Sequence, residues 1–236
     1  MNDLPLSGRL ALVTGASRGI GAATARALAA QGAHVVITAR TGAGLEEVEQ
    51  SIFDAGGSAT IAPLDLTETD SIARLAGAVG ERWKGLDVLV LNAGMLGSLA
   101  AVPSIDPKEF ARVLTLNVSA QVAMLTAFDP MLRRAAAGKV IGLTSSVGRK
   151  PRAYWGAYGA SKAAFETLLG AYGDEVEALG KVRLAIVDPG ATPTAMRARA
   201  YPGEDPQAVK DPQVVADRIV RLAVDGFAFG HRERVD

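Results

Sequence analysis

A chain of 236 residues, 49% hydrophobic and 21% charged, is long enough to fill a substantial core and has the composition of a globular protein. Its 25 basic and 25 acidic residues cancel, and no stretch gathers enough Lys and Arg for a nucleic-acid footprint. There is no cysteine, and His34 and His231 stand far apart, which excludes disulfides, thiolate metal sites, a cysteine nucleophile and a histidine-rich metal centre.

The first thirteen residues carry Asp3, lack a basic segment and hold too short an apolar run for a signal peptide. Arg9 to Thr14 predicts a strand ending at a glycine, and Gly19 to Gln31 a helix. A second strand follows at His34 to Ala39, a helix at Gly44 to Ala55, and a third strand at Ser58 to Ala62 leading to Asp65. Thr67 to Trp83 predicts a helix and Leu86 to Leu91 a fourth strand. Val88 to Pro103 is the most membrane-like stretch. Asn92, Gly94, Gly97 and Ser98 interrupt it, and it falls short of the roughly 20 apolar residues of a spanning helix, so a buried strand running into a loop is expected. Asp106 to Ala136 reads as one long helix with a bend near Pro130, Lys139 to Ser145 as a fifth strand, Tyr158 to Leu179 as a helix and Val182 to Val187 as a sixth strand. Ala191 to Pro212, with its prolines and mixed charge, reads as a loop with short helices. Gln213 to Val224 looks helical, and Phe227 to Val235 supplies a last edge strand.

Apolar, β-branched strands alternating with helices imply right-handed crossovers and a buried parallel sheet. No Pro/Ser-rich linker divides the chain. The fold expected is α/β, a doubly wound parallel sheet of the Rossmann type in a single domain over residues 1–236. The default location is the cytoplasm, without a membrane partner.

Two motifs carry chemistry. Thr14 to Gly21 (TGASRGIG) directly follows the first strand and opens the first helix, the context in which a glycine-rich turn binds a dinucleotide pyrophosphate. Its alternative is turn punctuation alone. Tyr158 and Lys162 stand four residues apart in a helical segment, so phenol and ammonium share one face. An adjacent ammonium favours the phenolate and lowers the phenol's pKa, which brings proton exchange with a hydroxyl or carbonyl within reach at neutral pH. With these stand Asn92-Ala93-Gly94, Ser145 thirteen residues before the tyrosine, and Pro189-Gly190. This ordered set resembles the short-chain dehydrogenase/reductase family over nearly the whole chain. The stretches SSVGR, WGAYGASK and TAMRA resemble its YciK-like bacterial oxidoreductase branch.

The resemblance implies a nicotinamide cofactor, with Gly15, Ser17, Arg18, Gly19, Ile20 and Gly21 at the pyrophosphate. Asp65 and Leu66 would lie at the adenine, and Asn92, Ala93 and Gly94 at the sheet end. The family often carries Asn where this chain has Leu91, which withdraws a minor hydrogen bond. Pro189, Gly190, Thr192 and Thr194 would lie beside the carboxamide. NADP(H) is favoured over NAD(H), because Ala39 replaces the usual ribose-binding acid and Arg40 with Arg18 can bracket a 2′-phosphate. A solvated Arg40 is the alternative. On the reacting side the resemblance implies Ser145, rather than its neighbours Thr144 and Ser146, on the substrate oxygen. Tyr158 becomes acid or base, Lys162 binds the ribose and tunes the phenol, and Asn117 anchors a water beside the lysine. No metal site is expected.

The implied activity is hydride transfer between nicotinamide and a small carbonyl or secondary-alcohol substrate. The rivals are a non-catalytic NADP-binding sensor or scaffold and an isomerase or dehydratase that retains its cofactor. Between serine and tyrosine, Tyr154 and Trp155 either floor a substrate pocket or enter an oligomer interface. Arg149, Lys150 and Arg152 either meet an anionic group or face water. Residues 191–212 are expected on the substrate side, and a homodimer or homotetramer is implied by family likeness.

Overall fold

The computed structural model describes residues 4–236, so the reading of the amino terminus rests partly on residues 1–3, outside the described residues. Seven strands, β1 (Leu10–Thr14), β2 (His34–Ala39), β3 (Ser58–Pro63), β4 (Val88–Leu91), β5 (Gly138–Leu143), β6 (Val182–Asp188) and β7 (His231–Arg234), form one sheet in the order β3-β2-β1-β4-β5-β6-β7. Every pairing is parallel. Around it lie α1 (Gly19–Ala30), α2 (Gly42–Asp54), α3 (Thr69–Arg82), α4 (Pro107–Leu114), α5 (Ala120–Arg134), α6 (Gly156–Glu177), α7 (Ala195–Ala200) and α8 (Pro212–Asp225). This is the doubly wound, Rossmann-like arrangement the sequence predicts.

The uninterrupted apolar strands follow from burial on both faces. On β1, Leu10 and Leu12 point into the layer formed with α3, α5 and α6, while Ala11 and Val13 point into the layer formed with α1, α2 and α8. The chain first builds outward from β1 to β3, then returns to the other side of β1 with β4. Loops leaving β1 and β4 therefore diverge at their carboxyl ends, where a crevice opens.

The predicted single helix over 106–136 is divided. Asp106 caps α4 by accepting from the Lys108 amide (3.0 Å), a π-helical turn spans Thr115–Ser119, and α5 then runs on through Pro130. The irregularity thus sits at Asn117. A π turn leaves backbone carbonyls without their usual partner, and the Gln121 side chain supplies one, its Nε2 donating to Leu116 O (2.9 Å). Val88 to Pro103 is, as expected, a buried strand entering a loop. The last edge strand is shorter than predicted, four residues paired with β6.

Candidate active site

Thr14, the last residue of β1, joins the two strands at the crevice. Its hydroxyl donates to Val90 O (3.2 Å) and accepts from the Asn92 and Ala93 amides (3.0 Å each). Asn92 Nδ2 returns hydrogen bonds to the carbonyls of Thr14 (2.8 Å) and Gly15 (3.2 Å). Gly15 adopts φ +65°, and a Cβ there would sit 3.0 Å from both Asn92 Nδ2 and Ala93 Cα. At Gly21 a Cβ would strike the Gly15 carbonyl and come within 2.5 Å of Asn92 Nδ2. α1 begins with no side-chain cap and no acid in its first turn, so its leading amides are left for an anion. The glycine turn is a cradle that any side chain would fill, and it fits a pyrophosphate.

A cleft of about 1180 Å³ extends from this cradle across the sheet ends. Gly15, Ser17, Arg18, Gly19, Ile20 and Gly21 line one part, and Arg40, Asp65 and Leu66 the β2–β3 side. Asn92, Ala93 and Gly94 lie at the centre, with Tyr158, Lys162, Pro189 and Thr194 along the far part. Ser145, Asn117, Gly190 and Thr192 are not on its wall. Asp65 accepts from the Thr67 amide (2.9 Å) and hydroxyl (2.8 Å); the amide bond above all, with Arg40 adding its charge, holds its carboxyl below the ordinary range. Gly190 takes φ +63° with its amide on Asp188 Oδ1 (3.0 Å), Thr192 is buried with its hydroxyl on Pro189 O (3.2 Å), and Thr194 caps α7.

Tyr158 and Lys162, 7% and 4% exposed, lie on the first turns of α6. Lys162 Nζ donates to Leu143 O (2.8 Å) and stands 5.8 Å from the centre of the Tyr158 ring. Fully buried Asn117 clamps the neighbouring loop: its Oδ1 accepts from the Met95 amide (2.8 Å) while Nδ2 donates to Met95 O (2.8 Å) and Ser161 Oγ (2.9 Å). The sequence alone would leave this asparagine exposed in mid-helix; the π turn carries it inward.

Electrostatically the pair departs from the sequence expectation. Burial pushes the Tyr158 phenol well above its ordinary value, the Asp188 carboxylate adds to this, and a hydrogen bond with Ser145 acts in the opposite sense. Burial brings Lys162 down to about 8, against the pull of Glu166. In this structure desolvation outweighs any lowering of the phenol by its ammonium neighbour.

The segment between serine and tyrosine divides between its two readings. Trp155 meets Tyr158 edge-on (centroids 6.1 Å) and Tyr201 at 5.8 Å, whereas Tyr154, at φ +71°, is 63% exposed. Arg149 pairs with Glu166 (2.8 Å), and Arg152 donates to the Tyr201 hydroxyl. Opposite, α7 brings Met196 and Ala200 against the apolar cluster around Tyr158. Arg197 forks onto Glu204 (2.7 and 2.6 Å) and stacks over the Tyr201 ring at 3.6 Å. The sequence reading gave no individual role to Thr14, Leu116, Met196, Arg197, Tyr201 or Glu204. For Arg197 and Tyr201 the four-residue spacing was the available signal. Among the described residues no cluster suited to a metal ion occurs.

A glycine cradle at the switch point of a parallel sheet is where folds of this kind bind a dinucleotide, and here it opens into the cleft that a buried tyrosine and lysine line. Residues 9–205 match the short chain dehydrogenase family, and the chain belongs to it. It is 37% identical over 210 residues to the uncharacterized oxidoreductase YciK of Escherichia coli, covering 88% of this chain and 82% of that protein. A short chain dehydrogenase from Pseudomonas syringae superposes with TM-score 0.95 at 38% identity, over 100% of this chain and 97% of the other. One from Shigella flexneri, solved in complex with NADP, gives TM-score 0.94 at 34% identity over 100% and 99%. The protein is a nicotinamide-dependent oxidoreductase of the class acting on CH–OH groups.

Proposed function

We propose that this protein moves a hydride between NADP(H) and a carbonyl or secondary-alcohol substrate, with Tyr158 as the proton donor in reduction and acceptor in oxidation. The observation that carries this reading is the buried phenol and ammonium, one helical turn apart, in the same cleft as the glycine cradle. Bound nicotinamide supplies the hydride. The cradle and the amides of α1 hold the pyrophosphate, Asp65 and Leu66 the adenine, and the Pro189–Thr194 segment the carboxamide. Ser145 fixes the substrate oxygen, Lys162 the ribose, and Asn117 a water behind the lysine.

NADP(H) is the preferred cofactor. Arg18 and Arg40 both line the cleft, neither side chain forms a close ion pair or hydrogen bond among the described residues, and Ala39 contributes no acid. The NADP complex of the similar Shigella protein supports the choice.

The chain is read as one domain, with residues 191–212 covering the substrate through Met196 and Tyr201. Its assembly is a symmetric dimer or tetramer. The helical run Pro107–Arg134 is long and apolar enough to cross a membrane by composition, yet only 33% of its most apolar window is buried, and Val122 on α5 and Leu168 on α6 are exposed. A second copy is the occupant proposed for those faces, in a cytoplasmic protein, and light scattering at micromolar concentration tests it: a monomeric mass rules it out.

The reaction is tested with NADPH deuterated at the transferred position of its nicotinamide, offered with a panel of aldehydes and ketones. Deuterium on the carbinol carbon of a product is expected. Substrate isomerised or dehydrated with the label retained on the cofactor, or binding of NADPH with no turnover anywhere in the panel, contradicts the proposal.

A further inference from the structure

Lys162 has a neighbour on its far side from Tyr158 that the reaction as described does not use. Glu166 stands four residues further along α6, so the three side chains occupy successive turns of one face. It is only 6% exposed, and both its oxygens are engaged. Oε1 accepts from Thr144 Oγ1 (2.6 Å), while Oε2 accepts from Arg149 Nε (2.8 Å) and Arg232 Nη1 (3.0 Å). Thr144 follows β5, lines the cleft and precedes Ser145. Arg149 follows the 3₁₀ turn Ser146–Gly148, and Arg232 lies on β7. Gly170, one turn beyond Glu166, leaves room for this reach: a Cβ there would lie 3.2 Å from Arg232 Nη2. A single carboxylate thus binds α6 to β5, to the turn after it and to the edge strand.

We propose that Glu166 is a positioning residue of the reacting site, holding Lys162 in its charged form and fixing the Thr144–Ser145 corner from one helical turn away. The inference rests on the reading of Lys162 as the ribose-binding ammonium. A burial of this kind disfavours the ammonium, and Glu166 is the charge that opposes the loss. Two arginines and the Thr144 hydroxyl anchor this buried carboxylate, since an unpartnered carboxylate there would carry a severe desolvation cost. The charged and titratable groups facing this pair are Tyr158 on α6, Asp188 at the end of β6, Arg149 and Arg232; the Thr115–Ser119 turn brings the neutral Asn117. A purely structural Glu166 would affect melting alone, whereas a positioning one also governs the pH at which Lys162 gives up its proton.

The test is NADPH affinity by fluorescence titration across the alkaline range, which needs no substrate. For the unaltered protein, affinity should fall as pH rises through about 8, where Lys162 becomes neutral. Glu166→Gln keeps the shape and removes the charge, so Lys162 should lose its proton earlier and the fall should move down by about one pH unit. Arg232→Gln removes a cation from the same cluster and should move the fall upward, by about half a unit. Lys162→Ala should abolish it. A folded Glu166→Gln protein with an unmoved fall overturns the inference while leaving the Lys162 reading intact. If Glu166→Gln does not fold, an Arg232→Gln profile that coincides with that of the unaltered protein overturns it equally. An alkaline fall that survives in Lys162→Ala overturns the Lys162 reading itself, and this inference with it.

Discussion

At the β1–β2 end of the cleft the lining is mostly backbone, held open by Gly15 at φ +65° and by the missing Cβ of Gly21, with two arginines at the rim. At the β5–α6 end it is buried side chains, a phenol raised and an ammonium lowered by desolvation. The first end is governed by steric geometry and by the two arginines that line it. The second is governed by its surroundings, so carboxylates such as Asp188 and Glu166 count there almost as much as the groups that react. Lys162 lies at the second end beside Tyr158, and it is the residue proposed to serve the cofactor as well as the phenol.

That overlap gives the largest expected effect. Lys162→Ala should lower turnover by about 10²-fold or more and weaken NADPH together, since one ammonium is assigned to ribose and phenol. A loss confined to one of the two readouts, steady-state rate or fluorescence titration, separates the ends and breaks this account of the lysine. Arg40→Asp acts at the cofactor end alone. Removing a charge-assisted bond and adding repulsion should cost NADPH binding about 1.5–3 kcal/mol and shift preference toward NADH, as read by calorimetry. Equal affinity of the unaltered protein for both cofactors would undo the assignment of Arg18 and Arg40. Gly21→Ala should destabilise the fold by about 1–3 kcal/mol in urea unfolding, because its new methyl meets the Gly15 carbonyl rather than a side chain that can swing away. An unaffected midpoint would mean that the cradle has slack.

The smallest effect is an alkaline one, to which Lys162 contributes together with Lys139 and Lys210, both also lowered by burial. Between about pH 8 and the ordinary lysine value of 10.5, the unfolded chain holds a proton that folded Lys162 has released, so stability should rise with pH. Above about 10.0 the sign reverses, because unfolded phenols ionise while folded Tyr158 and Tyr172 remain protonated. A gain of about 1–2 kcal/mol between pH 8 and 10 in urea unfolding is expected. A monotonic fall across that interval would mean that Lys162 is better solvated than its surroundings indicate.

The same contrast explains what could be read in advance. The alternation of strands and helices and the glycine turn are local: they depend on periodicity, on φ and on steric room beside a short motif. Their places in the sequence were therefore legible. Asn117 was not, unaided, because a π turn leaves no sequence signature and a mid-helix asparagine is ordinarily solvated. The direction of the Tyr158 shift was hidden for a different reason. The neighbouring lysine is visible four residues away, but the burial that outweighs it comes from Leu96, Val147, Trp155 and Met196, scattered over a hundred positions and joined only by folding. Thr14 lay inside the recognised motif, yet its bonds to Asn92 and Ala93 depend on the pairing of β1 with β4. The paired Arg197 and Glu204, seven residues apart, fall within a stretch whose prolines read as loop.

The central claim is that Tyr158 exchanges the proton. It is tested most directly by the single-turnover rate of NADPH oxidation with a carbonyl substrate drawn from the panel, compared between the unaltered protein and Tyr158→Phe. The substitution keeps the ring that packs on Leu96, Val147 and Trp155 and removes only the hydroxyl. The account predicts a rate lower by about 10²–10⁴-fold with NADPH affinity essentially unchanged. A Phe variant that oxidises NADPH at a near-normal rate would contradict it, and the proton would have to come from another group.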